Sequence, residues 1–220
     1  MKPVLALIAR DLTLALRHGA DTVVVVAFFV IAALLFAFGV GPEAGVQSRM
    51  AAGVVWTTAL LAVLLSLERM FAADFEDGSL DQLIVAVDPL GLVLAKVAAH
   101  WLATAVPLLV AAPLVALGLQ LPPAGLAPLM IGLALGTPIL SLLGAVGSAL
   151  ILGARRGSML VAILLLPLYV PVLIFGSAAV EAGVLGLDPG TALRVIGGLL
   201  LIAGVLCPWA AATALKHAVE

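Results

Sequence analysis

Five long stretches of this sequence contain no Asp, Glu, Lys or Arg: 22–42, 50–67, 97–154, 157–180 and 195–215. These runs restrict the fold more than any other feature. An apolar helix needs roughly 20 residues to cross the hydrocarbon core of a bilayer, with about 17–25 the usual range. Four runs suit one crossing each. The run 97–154 suits two, and Gln120-Leu121-Pro122-Pro123 breaks it near its middle. Adjacent prolines remove two backbone donors and disfavour helix in the residue before them. The expected fold is therefore an all-α membrane protein with six transmembrane helices, near 22–40, 50–67, 97–118, 125–152, 158–180 and 195–214. They form one domain over 1–220, with a loop at 68–96. The short alternating segments of a membrane β-barrel are not seen.

Composition excludes the other classes. With 65% hydrophobic and 10% charged residues, too few polar side chains remain to cover a soluble domain. A free cytosolic enzyme, a secreted disulfide scaffold and a disordered tail are ruled out together. A net charge of −2 gives no signal for nucleic acid. Cys207 is alone and has no internal disulfide partner.

The first apolar run follows Arg10, Asp11, Arg17 and Asp21 and is longer than a usual signal-peptide core, so it reads as an uncleaved span. Ahead of it, residues 4–16 read as an amphipathic helix along the interface, with Val4, Leu5, Ile8, Leu12 and Leu16 on one face and Arg10 and Arg17 on another. An N-terminus inside puts Lys2, Arg10, Arg17, Arg69, Lys96, Arg155, Arg156 and Lys216 on the cytoplasmic side, leaving Arg49 and Arg194 outside. That bias predicts cytoplasmic termini.

The loop at 68–96 holds Glu68, Asp74, Glu76, Asp77, Asp81 and Asp88, half of the 12 acidic residues. Ser79-Leu80-Asp81-Gln82 matches a capping box, with Ser79 at the N-cap and Gln82 at N3. Leu80, Leu83, Ile84 and Val87 then recur at helical spacing, and Pro89 and Gly91 end the helix. The result is a helix of about 12 Å, at about 1.5 Å per residue, too short to cross a membrane. One apolar face with acidic ends suits docking into a partner's groove, carboxylates toward its Arg or Lys. The alternative is a helix lying on lipid; its acids oppose that, because the cytoplasmic leaflet is itself negative.

Within the spans, Gly132, Gly136, Gly144 and Ser148 form a small-residue stripe, interrupted by Leu140, that suits packing within a subunit or a dimer seam. Pro107, Pro113, Pro138, Pro167, Pro171 and Pro208 fall inside spans, where each frees a backbone carbonyl; Pro167 and Pro171 predict two kinks one turn apart. Ionisable groups are nearly absent at mid-depth, which opposes an ion-coupled pump. His100, beside Trp101 near the cytoplasmic mouth, reads as hydrogen-bonded structure, and Cys207 as a small residue before a bend. His18 and His217 fall on the cytoplasmic side. No metal site is expected. No G-x-x-x-x-G-K-[ST], H-E-x-x-H or G-x-S-x-G occurs, so the chain is no enzyme by itself and carries no catalytic residues.

The stretch Phe71-Ala72-Ala73-Asp74-Phe75-Glu76-Asp77-Gly78-Ser79-Leu80-Asp81-Gln82-Leu83 resembles a signature of the CcmB family. Further matching segments are Gly53-Val54-Val55-Trp56, Lys96 to His100-Trp101, Gly136-Thr137-Pro138 through Leu142, and Leu166 through Gly176. The resemblance covers essentially the whole chain. Many members have Glu where Asp81 stands, and often a Ser where Asp88 stands.

The resemblance implies a type-2-exporter-like ABC permease in the bacterial inner membrane, acting in cytochrome c maturation, with haem as a possible substrate and no cofactor of its own. It implies as partners a cytosolic ATPase (CcmA), the membrane proteins CcmC and CcmD, and a second copy of the chain. ATP would be hydrolysed by the ATPase subunit. On this reading Asp74 to Leu83, including Glu76, Asp77, Gly78, Ser79, Leu80, Asp81 and Gln82, docks in a groove of the ATPase and moves the second and third spans. Three activities stay open: haem transport, ATP-driven release of haem-loaded acceptor without transport, and passive scaffolding. Export of another substrate is a further alternative.

Overall fold

The computed structural model describes residues 2–17, 19–41, 44–67, 69–152 and 157–219. Glu68, Arg155, Arg156 and His18, used above for charge and orientation, lie outside the described residues. The described residues form helices α1 (Lys2–Arg17), α2 (Ala20–Val40), α3 (Ala44–Leu67), α4 (Arg69–Glu76), α5 (Ser79–Ala86), α6 (Pro89–Gly118), α7 (Pro123–Leu150), α8 (Gly157–Val184) and α9 (Gly190–Val219). Among the described residues, six helices are long and apolar enough to cross a membrane. The chain is an all-α, multi-span membrane protein.

α7 stands at the centre and packs against α3, α6, α8 and α9. α2 is peripheral. It buries a narrow stripe of Val25, Phe29, Ala33 and Ala37 and leaves Val23, Phe28, Ile31, Leu35 and Phe38 exposed. Such a surface is stable only against lipid or another apolar helix. The α2–α3 turn is closed by Gln47, whose side-chain amide donates to the carbonyls of Ala37 (3.0 Å) and Gly41 (2.8 Å) at the end of α2.

Two local expectations are corrected. Pro89 and Gly91 begin a helix instead of ending one: α6 starts at Pro89, well before 97. Asp88 is its N-cap, accepting the Gly91 N–H at 3.0 Å, and Pro89 sits in the first turn where its missing N–H costs nothing. Asp, like Ser, is a good N-cap. Gly91 also lets α1 approach, since a Cβ there would stand 3.2 Å from the Val4 side chain. α1 itself buries Leu7 and half-buries Val4, Ile8 and Asp11, while Leu5 and Leu16 face outward. The face expected to be apolar is thus rotated, and the inward stripe carries charge. The span prolines lie inside helices, as expected: α6 runs through Pro107 and Pro113, α7 through Pro138, α8 through Pro167 and Pro171, and α9 through Pro208.

Candidate functional site at the loop end of the bundle

The acidic segment between α3 and α6 folds as two short helices, α4 and α5, joined at Asp77 and Gly78. Gly78 holds φ 73°, a left-handed conformation that residues with a Cβ resist. It caps α5 with no side-chain hydrogen bond. Ser79 is the first helical residue and not the cap. Its N–H donates to Asp77 Oδ1 at 2.8 Å, an Asx-type turn, while its hydroxyl turns back to donate to Asp74 Oδ1 at 3.0 Å. The capping-box expectation fails because the left-handed residue reverses the chain one position earlier.

The apolar stripe of α5 is used within the subunit. Leu80 is 1% exposed and Val87 is buried, and Leu83 and Ile84 pack against the same core. From α4, Met70 and Phe71 join them. The outer surface is made by Phe75, Glu76, Asp77, Asp81, Gln82 and Val85. Val85 is 89% exposed, an apolar side chain standing among carboxylates.

Asp74 takes neither part. It is 4% exposed and lies in a cluster of four charges. Arg10 Nη2 donates to its Oδ1 at 2.5 Å, and Lys96 pairs with its Oδ2. Lys96 Nζ also lies 2.9 Å from Asp11 Oδ2, and Arg10 Nη1 faces Asp11 Oδ1 at 3.7 Å. Two cations balance two anions. Asp74, Lys96 and Asp11 are largely withdrawn from water, the condition for which is such pairing, while Arg10 closes the cluster from the surface with its side chain 38% exposed. The hydrogen bond to Asp74 is the main cause that holds the Arg10 guanidinium above its ordinary pKa. The cluster joins α1, α4 and α6, with Ser79 adding α5. At the surface, Arg69 pairs with Asp21, tying α4 to α2. A partial signal for this group is present in the sequence: the Arg10-Asp11 pair on a short apolar helix, and Arg69 and Lys96, the two basic residues among the six acids of 68–96. It did not identify Arg10, Asp11 and Lys96 as the partners of Asp74.

One turn beyond Lys96 on α6, both ring nitrogens of His100 are engaged, Nε2 with Ser66 Oγ (2.8 Å) on α3 and Nδ1 with Ser141 Oγ (3.0 Å) on α7. Trp101 Nε1 donates to Thr137 Oγ1 at 3.0 Å. Among the described residues, no three His, Cys, Asp or Glu side chains converge. Cys207 is buried.

The small-residue stripe of α7 receives α3. A Cβ on Gly136 would stand 2.7 Å from the Trp56 ring, and one on Gly132 3.1 Å. Gly144 abuts Leu67, and Ser148 Oγ donates to the Leu67 carbonyl at 2.8 Å. Packing inside the subunit uses the whole stripe. Between Pro167 and Pro171, Tyr169 is buried and its hydroxyl donates to the Leu140 carbonyl at 2.7 Å.

The family model described as "CcmB protein" matches residues 2–218. "Heme exporter protein B" of Paracoccus denitrificans is 52% identical over 212 residues, covering 96% of this chain and 97% of that protein. The proteins of the same name from Pseudomonas aeruginosa and Escherichia coli K12 are 48% identical over 214 residues (97% and 96% covered) and 44% identical over 211 (96% of each). Identity of this extent, along almost the entire length, leaves no segment of the fold unmatched: the chain belongs to the CcmB family.

Proposed function

We propose that this chain is the membrane permease subunit of an ABC-type complex that exports or delivers haem for c-type cytochrome biogenesis. The relatives' shared name, heme exporter protein B, supports the substrate. The observation that carries the mechanism is the outward ridge of α4 and α5: Phe75, Glu76, Asp77, Asp81, Gln82 and the exposed Val85. The chain has no nucleotide-binding motif, so ATP hydrolysis resides in a separate subunit and reaches the bilayer through a contact. The ridge has the chemistry of that contact, exposed apolar side chains and carboxylates on one loop, for a groove lined by Arg or Lys. A CcmA-like cytosolic ATPase is the partner there. CcmC-like and CcmD-like membrane proteins and a second copy of the chain complete the assembly, in the bacterial inner membrane with both termini cytoplasmic.

Reversing Glu76, Asp77 and Asp81 together to Lys tests the reading. These side chains are exposed; because Asp77 also accepts the Ser79 N–H at the turn, reversal of Glu76 and Asp81 alone is the control that leaves every hydrogen bond described above in place. Co-purification of the ATPase is expected to be lost, and cytochrome c assembly with it. A passive scaffold would leave both unchanged.

Within the assembly, energy transduction without transport is favoured over passage of haem through this chain. The supporting observation is that the polar side chains His100, Trp101, Thr137 and Ser141 are taken up by hydrogen bonds with one another and with Ser66, between α3, α6 and α7. Sealed vesicles holding the complete complex, given haem and ATP only on the ATPase side, are expected to accumulate no haem on the other. Accumulation would establish transport.

A further inference from the structure

Asp74 carries the family-like sequence signature but is hidden from the surface that signature forms. The loop meets the bundle mostly through apolar side chains, Met70, Phe71, Leu80 and Val87. Such contacts are non-directional and permit sliding. Among the described residues, its buried ionic attachment is Asp74, held at once by Arg10 of α1 and Lys96 of α6. Hydrogen-bonded charge pairs fix distance and angle in a way that apolar contact does not. Lys96 stands one turn from His100 on the same face of α6, and His100 bridges α3 through Ser66 and α7 through Ser141. Within two turns the polar attachments therefore run from the loop to α1, α3, α6 and α7.

We infer that the Arg10–Asp11–Asp74–Lys96 cluster is the joint through which displacement of the α4–α5 loop is passed to the spans, and that α1 moves with the loop as one body. This rests on the docking reading above and assigns Asp74 a different part in it. The exposed ridge binds, and Asp74, with Lys96, is a positioning residue that makes the binding productive. α1, in place of floating passively beside the bundle, belongs to the moving part.

The double variant Asp74→Asn with Lys96→Gln keeps the cluster neutral, because Arg10 and Asp11 remain. In the assembled complex it is expected to retain the ATPase at the wild-type level. Cytochrome c maturation per ATP hydrolysed is expected to fall by about tenfold, inside the ~5–150-fold range of ordinary coupling interactions. Maturation per ATP within about twofold of wild type, below that coupling range, would overturn the inference. So would loss of the ATPase, which would make Asp74 part of the docking surface. Retention of the ATPase by the Glu76, Asp77 and Asp81 reversal would instead defeat the docking reading.

A distance measurement covers the case in which the double variant does not fold. With Cys207→Ser, spin labels at Thr13→Cys on α1 and Ala73→Cys on α4 occupy exposed positions and leave all four charges in place. Their separation is expected to be the same in nucleotide-free and ATP-trapped complexes. A separation that changes with nucleotide would show α1 and the loop moving independently, and the inference would be wrong.

Discussion

Asp74→Ala is expected to destabilise the folded chain by about 3–5 kcal/mol, the usual cost of removing one partner from a buried ion pair. The reason is what stays behind. Lys96, itself buried, keeps Asp11 at 2.9 Å but loses its closest carboxylate, and the half-exposed Arg10 loses its 2.5 Å hydrogen bond, so two cations then face one anion. Lys96→Ala produces the opposite imbalance and is expected to be about as damaging. The double variant leaves Arg10 and Asp11, one charge of each sign. Its loss should fall short of the sum of the single losses by a coupling of about 0.5–3 kcal/mol. Denaturant titration of the purified protein in detergent measures all three. Additive losses would mean that the four charges do not act as a unit.

Gly136→Leu is the second large effect. Even a Cβ would lie 2.7 Å from the Trp56 ring and 3.0 Å from Val172, so α3, α7 and α8 cannot all keep their positions around a larger side chain. Inserting methylenes into a packed core costs about 1–3 kcal/mol and sometimes more. In a bilayer this is serious, because lipid is as apolar as the helices and close packing does much of the work of association. Trp56 is 1% exposed, and its indole N–H has no acceptor among the described residues. Shape therefore holds it. Trp56→Ala alone is expected to cost about 3–5 kcal/mol by opening a cavity. Combined with Gly136→Leu, which refills part of that space, it should be less damaging than the sum, as thermal unfolding in detergent would show. A double variant no better than additive would separate the two sites.

These effects mark where the sequence was legible. Spans were readable because charge is scarce: a charge-free run of apolar residues has few alternatives to a crossing helix. The structural part of His100 was readable for the same reason, since an imidazole beside Trp101 with no second ligating side chain near it in the sequence favours hydrogen bonding, which Ser66 and Ser141 supply. Facing directions were not. α1 carries apolar residues around much of its circumference, so periodicity favoured Leu5 and Leu16, and tertiary packing chose Leu7 with Asp11. Pro89 and Gly91 are ambiguous punctuation, since Pro ends one helix and begins the next by the same lack of an N–H. The small-residue stripe announced a close approach without naming the partner, and only the fold supplies Trp56 and Leu67.

At the loop, the stretch from Asp74 to Leu83 was read as one docking unit. The structure divides it. Leu80 and Leu83 turn into the subunit, Asp74 joins a buried cluster, and the exposed surface shifts to Glu76, Asp77, Asp81, Gln82 and Val85. Short helices carry little information about which face is inward, because either face of eight residues is adequate for a core and only the neighbouring helices decide.

A photo-crosslinking residue placed at Val85 tests most directly whether this ridge receives the ATPase. Val85 is the most exposed apolar side chain of the loop, and replacing it alters no internal contact among those described above. In the assembled complex, illumination is expected to join it to the ATPase subunit, while the same residue at Leu150, an exposed position at the end of α7, is expected to give no such product. Crosslinks from Leu150 and none from Val85 would place the ATPase elsewhere and contradict the account.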